Sequence, residues 1–490
     1  MSGPSRALCM LLTVGGVCLL AAPSRAQGIR GEVTVRAGTL ELRGLERDSL
    51  PEPAVPGEGL SRTLEDGTVV TCIPEEFCRW YPSGDVSDVS LVTQEVSFAA
   101  WPGIEGVSGH VHVRGRYGTD GLWPRADQEF AILHAYAAWD RSDLRVRAGR
   151  QVRSNGLGWF NFDGAAVLWR GFDPVRLELY GGWSLAPNLD VPRTGSLLED
   201  AVDFPPGDRG LLVGVEVSAR AGRRAAGTLT YQREIREDRA GLYGERIAFD
   251  GRATEGRLTL DASLDYDLGW KEFNEVMLRG TAALPRGVDV TIQARRYTPY
   301  FELWTIWGAF SPVGYDEARV SAGWSIPETG FRLEGGGAWR NYEEADAGAA
   351  FVGLDEDGWR GIGRARWSGT NGWFGDLSYR ADRGSGAARY GGDAAMGREF
   401  GGGRYLALRG TSSQSFSEFR LGGQVTAGGG VDGAWTLGEW TVSGSLALYR
   451  LTYEDRPSVS DWTQRRAQLG ISYRFGTEPV AGPARPAGNY

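Results

Sequence analysis

Residues 107–117 read VSGHVHVRGRY, and apolar and polar side chains alternate along the whole segment. The odd-numbered positions hold valine and tyrosine side chains, with glycine at two of them. The even-numbered positions hold Ser108, His110, His112, Arg114 and Arg116. Because successive side chains of a β-strand point to opposite faces of the sheet, this pattern predicts a strand with one apolar and one polar face.

The same alternation recurs along the chain, for example in residues 175–182, 211–220, 257–266, 288–295, 318–326 and 331–340. A soluble β-sandwich also alternates, so the pattern alone does not decide the fold. Segments of about ten residues have the length of a tilted strand that crosses a bilayer. Aromatic side chains such as Trp139, Trp169 and Trp324 gather at segment ends, where the girdle of a membrane barrel lies.

The connections between these segments are of two kinds. Short ones cover residues 102–106, 140–143, 172–174, 285–287 and 327–330, and long ones cover 44–88, 185–208, 297–315 and 341–355. Short turns at one rim and long loops at the other are typical of outer-membrane barrels. Since lipid offers no hydrogen bonds to an open sheet edge, such a sheet has to close. The sequence therefore predicts an all-β fold, a closed antiparallel transmembrane β-barrel of about 18–22 strands over residues 27–475.

Residues 1–26 have the three-part pattern of a secretory signal peptide. Arg6 supplies a positive charge, residues 7–22 are apolar or small, and Ser24 and Ala26 place small side chains before a cleavage site at Gln27. A retained membrane anchor is the alternative, although the apolar run is shorter than the roughly 20 residues of a spanning helix. This segment predicts secretion, with the outer membrane as the destination.

Cys72 and Cys78 are the cysteines that remain after removal of this segment. An oxidising compartment favours a disulfide between them, which would pin the long connection 44–88, and a free thiol pair is the alternative. Their spacing does not suit a zinc site. The net charge of −9 argues against nucleic acid as a partner.

Residues 468–475, QLGISYRF, resemble the C-terminal assembly signal of outer-membrane barrels, in which alternating apolar residues end in an aromatic residue. This resemblance implies the barrel-assembly machinery and outer-membrane lipid as partners. Residues 476–490 are rich in proline, glycine and alanine, which predicts a disordered periplasmic tail.

A second resemblance covers a short part of the chain. Residues 147–151 (RAGRQ), 156–158 (GLG) and 162–164 (FDG) resemble a stretch of the alginate-export family of outer-membrane barrels. In that family an arginine-rich lumen conducts an anionic polysaccharide. The resemblance implies a porin-like export channel, with Arg147 and Arg150 in the conduction path.

Alternation places many arginines on the inward face of the barrel wall. The predicted pore-lining residues are Arg114, Arg116, Arg145, Arg147, Arg150, Arg295, Arg319, Arg332, Arg340, Arg364 and Arg366. Arg150 is out of phase with Arg145 and Arg147, so it needs a bulge or a strand end to face inward. Rings of arginine bias a pore toward anions, which predicts a channel for small anionic or saccharide solutes.

Two alternatives to a selective channel stay open. Acidic side chains could pair with these arginines across the wall and leave no selectivity. The barrel could instead be structural or adhesive and bind an external partner through its long loops. The aromatic segment 300–315 predicts a solute platform at Tyr300, Trp304, Trp307 and Phe310, with an aromatic belt or loop packing as the alternative.

The three histidines, His110, His112 and His134, fall on inward parities of neighbouring segments. We interpret them as lumen wall, with a metal site or a catalytic base as the alternative. No phosphate loop, nucleophile elbow or HExxH motif occurs in the sequence. We therefore predict that the protein is not an enzyme and has no catalytic residues, no metal and no cofactor.

Overall fold

The structure is a computed structural model that describes residues 28–118, 130–185, 210–235, 244–298, 314–342, 357–384, 387–417, 423–454 and 458–477. These residues form 26 strands: β1 (Gly28–Leu45), β2 (Asp48–Pro51), β3 (Ser61–Thr63), β4 (Val69–Ile73), β5 (Phe77–Trp80), β6 (Ser83–Trp101), β7 (Val107–Gly118), β8 (Phe130–Asp140), β9 (Leu144–Asn155), β10 (Gly158–Phe172), β11 (Val175–Leu185), β12 (Leu211–Ala221), β13 (Ala225–Ile235), β14 (Glu245–Glu255), β15 (Leu258–Asp267), β16 (Glu272–Leu284), β17 (Val288–Tyr297), β18 (Tyr315–Ser325), β19 (Phe331–Tyr342), β20 (Asp357–Ser368), β21 (Trp373–Gly384), β22 (Ala387–Gly401), β23 (Arg404–Ser417), β24 (Gly423–Leu437), β25 (Trp440–Tyr453) and β26 (Trp462–Thr477).

Twenty-two of these strands form one antiparallel sheet that closes on itself. From β6 to β26 each strand pairs with the next one in the chain, and β1 pairs with both β6 and β26. Gly28 lies opposite Trp101 in one of these pairs, and Ile29 lies opposite Thr477 in the other. The prediction of a closed antiparallel barrel is confirmed, with the strand number at the upper end of the predicted range.

The outer face of the barrel wall is apolar. Trp324, Leu333 and Ile471 are 44%, 40% and 41% exposed, so they lie on the outside of the sheet and not in a compact core. Arg332 and Glu334, the chain neighbours of Leu333, point to the inner face and form an ion pair there. Across the described ranges, no helix has both the length and the apolar character that a membrane span requires.

Both ends of the described chain lie at one rim of the barrel, which we call the terminal rim. Short turns join the strands there, at residues 102–106, 141–143, 173–174, 222–224, 256–257, 285–287, 326–330, 369–372, 402–403 and 438–439. The opposite rim, the loop rim, carries the long connections, which include residues 46–82, 186–210, 298–314 and 343–356. The short and long connections that the sequence predicted thus fall on separate rims.

The ends of the chain differ slightly from the predicted boundaries. Strand β26 continues to Thr477, so Gly476 and Thr477 belong to the barrel and not to the predicted tail. The predicted signal peptide, residues 1–26, and the remaining tail, residues 478–490, lie outside the described residues.

The connection between β1 and β6 contains a small folded unit. Strands β2 to β5 form a four-stranded sheet in the order β2-β5-β4-β3. The buried apolar cluster of this unit consists of Val55, Val70, Cys72 and Cys78, and a disulfide joins the two cysteines, which face each other on β4 and β5. A sheet of this size buries little apolar surface, so a covalent link contributes a large share of its stability.

Removal of this disulfide is expected to loosen the small sheet and leave the barrel intact. The bridged cysteines are separated by only 6 in sequence, so the chain-entropy contribution is about 2 kcal/mol. In the double variant Cys72→Ser/Cys78→Ser, protease cleavage within residues 46–82 should become faster. The midpoint of heat unfolding of the barrel, followed by its gel-mobility shift, should stay the same. A lower midpoint would contradict the independence of the two sheets.

Candidate functional site

Paired arginine and carboxylate side chains line much of the inner wall. Arg295 contacts Glu275 at 2.9 Å, and Arg340 contacts Glu317 at 2.8 Å. The strand register produces such pairs, because Arg340 on β19 lies directly opposite Glu317 on β18. Charges in a partly buried wall need partners, since an unpaired buried charge is costly.

Most of the predicted pore-lining arginines are neutralised locally. Eight of the eleven have a carboxylate oxygen within 4.0 Å, namely Arg145, Arg147, Arg150, Arg295, Arg332, Arg340, Arg364 and Arg366. Arg114 and Arg116 line a large cavity, and Arg319 shares the inward face of β18 with Glu317. Any charge preference of the lumen therefore depends on the arginines that have no acidic partner.

Arg150 lies on the opposite face of the sheet from the predicted one. It is the register partner of Asp163, which in turn lies opposite Trp183, an outer-face side chain that is 49% exposed. Arg150 Nε and Nη2 donate to the Asp163 carboxylate at 2.7 and 2.8 Å, and Nη1 donates to the Ile132 carbonyl oxygen at 3.1 Å. No bulge shifts the parity of β9 at this position, so the Arg150 side chain stays on the outer face. There its guanidinium connects β9 with β8 and β10.

The hairpin formed by β9 and β10 leaves the wall and folds into the lumen. In the described ranges, residues 151–155 of β9 pair with β10 and not with β8. At the hairpin tip, a Cβ atom on Gly156 would lie 2.2 Å from Asp250 Oδ2 on the inner face of β14. Arg246 Nη1, also on β14, donates to the carbonyl oxygen of Leu157 at 3.2 Å. The hairpin therefore spans the inner faces of β11, β12 and β13 and contacts β14 at its tip.

A row of glycines permits this bend. Gly149, Gly164 and Gly182 lie side by side on β9, β10 and β11. A Cβ atom at Gly149 would lie 2.3 Å from the carbonyl oxygen of Ala135, and one at Gly164 would lie 2.0 Å from that of Gly181. Side chains cannot occupy such short distances, so the backbones approach closely only because these residues are glycine. Glycine kinks of this kind allow a sheet to curve sharply.

Apolar side chains attach the hairpin to the inner wall. The buried cluster consists of Leu157, Phe160, Phe162, Ala166, Tyr180, Leu212 and Ala248. Phe162 and Leu212 are each 1% exposed. Full burial of one Leu or Phe side chain contributes about 1.5–3 kcal/mol, so this cluster fixes the hairpin as part of the fold.

Ion pairs of Arg153 join the middle of the hairpin to the wall. Arg153 Nη1 lies 2.7 Å from Glu178, and Arg153 Nη2 lies 2.7 Å from Glu216. The guanidinium also lies over the ring of Tyr180, 4.1 Å from its centroid. Glu178 and Glu216 face each other on β11 and β12, where two like charges repel. Arg153 relieves this repulsion.

A large cavity, which we call the arginine chamber, lies along a different part of the wall. It has a volume of about 1100 Å³ and lies between β20–β26, β1, β6 and β7. Its charged lining comprises six arginines and four carboxylates: Arg36, Arg114, Arg116, Arg364, Arg409, Arg466, Glu95, Asp376, Asp393 and Asp432. Positive charge thus exceeds negative charge in this chamber.

Arg116 and Arg466 contribute to this excess. Arg466 donates to Gln464 at 2.7 Å and lies over the Tyr449 ring, 4.7 Å from its centroid. The buried Nη2 of Arg116 has no hydrogen-bond partner in the described residues, and the residue opposite Arg116 on β6 is Thr93. Neither guanidinium contacts a carboxylate within the described ranges. Both therefore line the chamber with a positive charge that no described carboxylate neutralises.

A second cavity, of about 870 Å³, lies toward the terminal rim and is lined by His110, His112 and His134. All three histidines point inward, and His134 lies directly opposite His112 across the β7–β8 pair. The predicted platform at Tyr300, Trp304, Trp307 and Phe310 lies outside the described residues.

The sequence reasoning missed the two arginines with the clearest roles. Arg153 holds the inward hairpin, and Arg466 supplies part of the excess charge in the arginine chamber. Strand parity was an available signal for Arg466, because it shares the inward parity of Gln468 on β26. The only available signal for the hairpin was the set of glycines at its bend.

No protein-family model matches the chain, and no curated protein matches it. Solved structures with a similar fold include OpdQ of Pseudomonas aeruginosa, with 10% identity and a TM-score of 0.41 over 91% of this chain and 98% of that one. A BenF-like porin from Pseudomonas fluorescens Pf-5 has 9% identity and a TM-score of 0.40, covering 92% and 99% of the two chains. The P pilus usher (PapC) translocation pore has 8% identity and a TM-score of 0.39, covering 92% and 99%. Similarity at this level assigns neither a family nor a function to the chain.

Proposed function

We propose that this protein is an outer-membrane channel that passes small anionic solutes, acidic saccharides among them, through the arginine chamber. The observation that carries the proposal is the chamber itself, a lumen cavity in which six arginines face four carboxylates. Rings of arginine in a pore lower the electrostatic barrier for anions and raise it for cations.

The outer-membrane location is supported by the chemistry of the wall. A closed sheet leaves no backbone donor or acceptor bare at an edge, which is the condition for a sheet to span lipid. The outward side chains, such as Trp324 and Ile471, are apolar and exposed, which suits contact with acyl chains. A long loop rim and a short terminal rim agree with the same location.

The route through the barrel follows from the division of the lumen. The inward hairpin covers the inner faces of β11–β14, and the arginine chamber lies along β20–β26, β1, β6 and β7. These two parts of the wall share no strand. A solute therefore passes beside the hairpin, along the side where Arg116 and Arg466 have no carboxylate partner among the described residues.

Purified protein in planar bilayers tests this proposal. We expect discrete conductance steps and, in a KCl gradient, a reversal potential with the sign of anion preference. The preference should weaken as salt rises, because the Debye length falls from about 30 Å at 0.01 M to about 3 Å at 1 M. A silent barrel would favour the structural or adhesive alternative. A steady preference for cations would contradict the assignment of the chamber.

A further inference from the structure

An apolar groove of about 940 Å³ lies on the wall across β22–β26, β1 and β6. Gly433 and Gly444, which face each other on β24 and β25, both line it. Gly444 lies opposite Leu469 on β26, and Leu469 shares the outward parity of Ile471, which is exposed on the outer face of the barrel. The groove therefore opens toward lipid and not toward the lumen.

The two glycines give the groove its depth, because larger apolar side chains stand around them. These exposed side chains are Phe400, Leu406, Trp435, Val442, Leu446 and Leu469. Along β24 the groove runs from Trp435 to Val431, and four residues of an antiparallel strand span about 14 Å. Half of a hydrocarbon core of about 30 Å is about 15 Å, so the groove has the length of one leaflet.

Two arginines mark the end of the groove at the terminal rim. The Arg404 guanidinium lies 5.1 Å from the centroid of the Trp435 ring, and the Arg398 guanidinium lies 5.3 Å from that of Phe400. Both rings line the groove and lie within three residues of a short turn. Across the described ranges, neither guanidinium contacts a carboxylate. A ring face orients a guanidinium but does not neutralise it, so both arginines keep a full positive charge at the depth of lipid headgroups.

The strand register places the two arginines side by side. Arg398 lies directly opposite Leu406, and Arg404 precedes Leu406 by two residues on the same strand. All three side chains thus point outward, and diagonal neighbours of this kind are separated by roughly 7–8 Å. At this spacing, two long guanidinium side chains can contact one phosphate group.

We propose that this surface binds an anionic phospholipid, with its phosphate at Arg398 and Arg404 and an acyl chain in the glycine-lined groove. Guanidinium groups form bidentate, charge-assisted hydrogen bonds with phosphate oxygens. The short turns of outer-membrane barrels face the periplasm, and the leaflet on that side consists of phospholipid. The site lies on the opposite face of the wall from the arginine chamber, so lipid binding goes beyond the proposed channel function.

Native mass spectrometry of the full-length barrel in detergent tests the site, with phosphatidylglycerol as the probe and phosphatidylcholine for comparison. We expect one tightly bound phosphatidylglycerol per chain and weaker binding of phosphatidylcholine, whose choline group repels the arginines. Each arginine near a membrane surface contributes about fivefold to the affinity for anionic lipid, so Arg398→Gln/Arg404→Gln should weaken phosphatidylglycerol binding by about 30-fold. Gly444→Leu fills the groove and should weaken binding of both lipids. A Cβ atom at Gly444 lies 3.5 Å from its nearest neighbour, so this variant should fold.

Two controls carry the same kinds of substitution elsewhere on the wall. Arg141 also lies over a tryptophan ring at the terminal rim, 5.0 Å from the centroid of Trp139, but does not line the groove. Gly280 faces Ile292 on the outer face of β16, and a Cβ atom there would lie 3.4 Å from Leu260 Cδ2. Arg141→Gln and Gly280→Leu should bind phosphatidylglycerol like the wild type.

Equal affinity of the wild type for the two lipids, or unchanged phosphatidylglycerol binding in Arg398→Gln/Arg404→Gln, would overturn the proposal. The spectra also report the oligomeric state: a wild-type dimer that Gly444→Leu separates, without bound lipid, would assign the groove to a second copy of the chain instead. Heat-induced gel mobility separates lost binding from lost fold in each variant. The assay needs no ion flow, so a silent barrel that retains phosphatidylglycerol would reject the channel and keep the lipid site.

Discussion

Replacement of Arg153 by glutamine is expected to release the middle of the inward hairpin and raise the single-channel conductance. Arg153, Glu178 and Glu216 are 12%, 11% and 21% exposed. The variant therefore leaves two facing carboxylates buried, with Arg147, 3.9 Å from Glu178, as their remaining described cation. Loss of one partner from a buried ionic group costs about 3–5 kcal/mol. The penalty falls if the middle of the hairpin moves away from the wall and water reaches the carboxylates. The apolar contacts of Leu157, Phe160 and Phe162 should keep the rest of the hairpin in place.

Conductance in planar bilayers is the measurement, with open-channel noise as a second readout of hairpin motion. Arg252→Gln is a matched control, because Arg252 lies on the inner face of β14 but is 67% exposed in its pair with Asp261. Exposed ion pairs contribute little, so this control should conduct like the wild type. If Arg153→Gln lowers the stability of the barrel without any change in conductance or noise, the hairpin is a rigid part of the wall and not a movable constriction.

The double charge reversal Arg116→Glu/Arg466→Glu is expected to change the sign of ion selectivity. The arginine chamber would then contain four arginines and six carboxylates instead of the reverse. Because both side chains lack an acidic partner in the described ranges, their replacement breaks no ion pair among those residues, and we expect the barrel to fold normally. Reversal potentials in a KCl gradient should move from anion preference to cation preference.

The neighbouring residue Arg465 offers a control on the same strand. It is 76% exposed and pairs with Glu41 near the loop rim, away from the arginine chamber. Arg465→Glu should leave the reversal potential close to that of the wild type, whereas Arg466→Glu should shift it. Equal shifts in the two single variants would show that overall charge, and not the chamber, sets selectivity.

The fold was predictable because alternation is a local property of a strand that also determines the architecture. Leu333 between Arg332 and Glu334 shows the principle: the apolar side chain is exposed on the outer face and the two charges pair inside. The separation of connections into short and long ones was readable for the same reason, since strand ends were visible in the pattern.

The inward hairpin was not predictable, because alternation gives the face of a residue and not the path of its strand. Gln151 and Arg153 keep the inward parity of β9, yet their strand has left the wall. The glycines of the bend were visible in the sequence, but their side-by-side positions on three strands depend on register. Sequence periodicity does not specify register across strands.

The charge balance of the lumen could not be predicted from the sequence for a related reason. Arg340 and Arg116 both have inward parity, but Arg340 faces Glu317 and Arg116 faces Thr93. Only the register distinguishes a neutralised arginine from one that a solute can approach. The histidines show the same dependence, since the direct opposition of His112 and His134 comes from the pairing of β7 with β8.

The pairing of β1 with β26 constrains the order in which the barrel can assemble. One edge of β1 pairs with β6, but the other edge, along residues 29–40, pairs with residues 466–477 of β26. The first strand of the barrel therefore keeps one unpaired edge until the last strand has been made. Contacts between such distant segments form slowly, and a bare strand edge attracts other chains. The newly made chain must therefore be protected from aggregation until the barrel closes. A chain truncated before residue 466 should precipitate or be degraded instead of forming a smaller barrel.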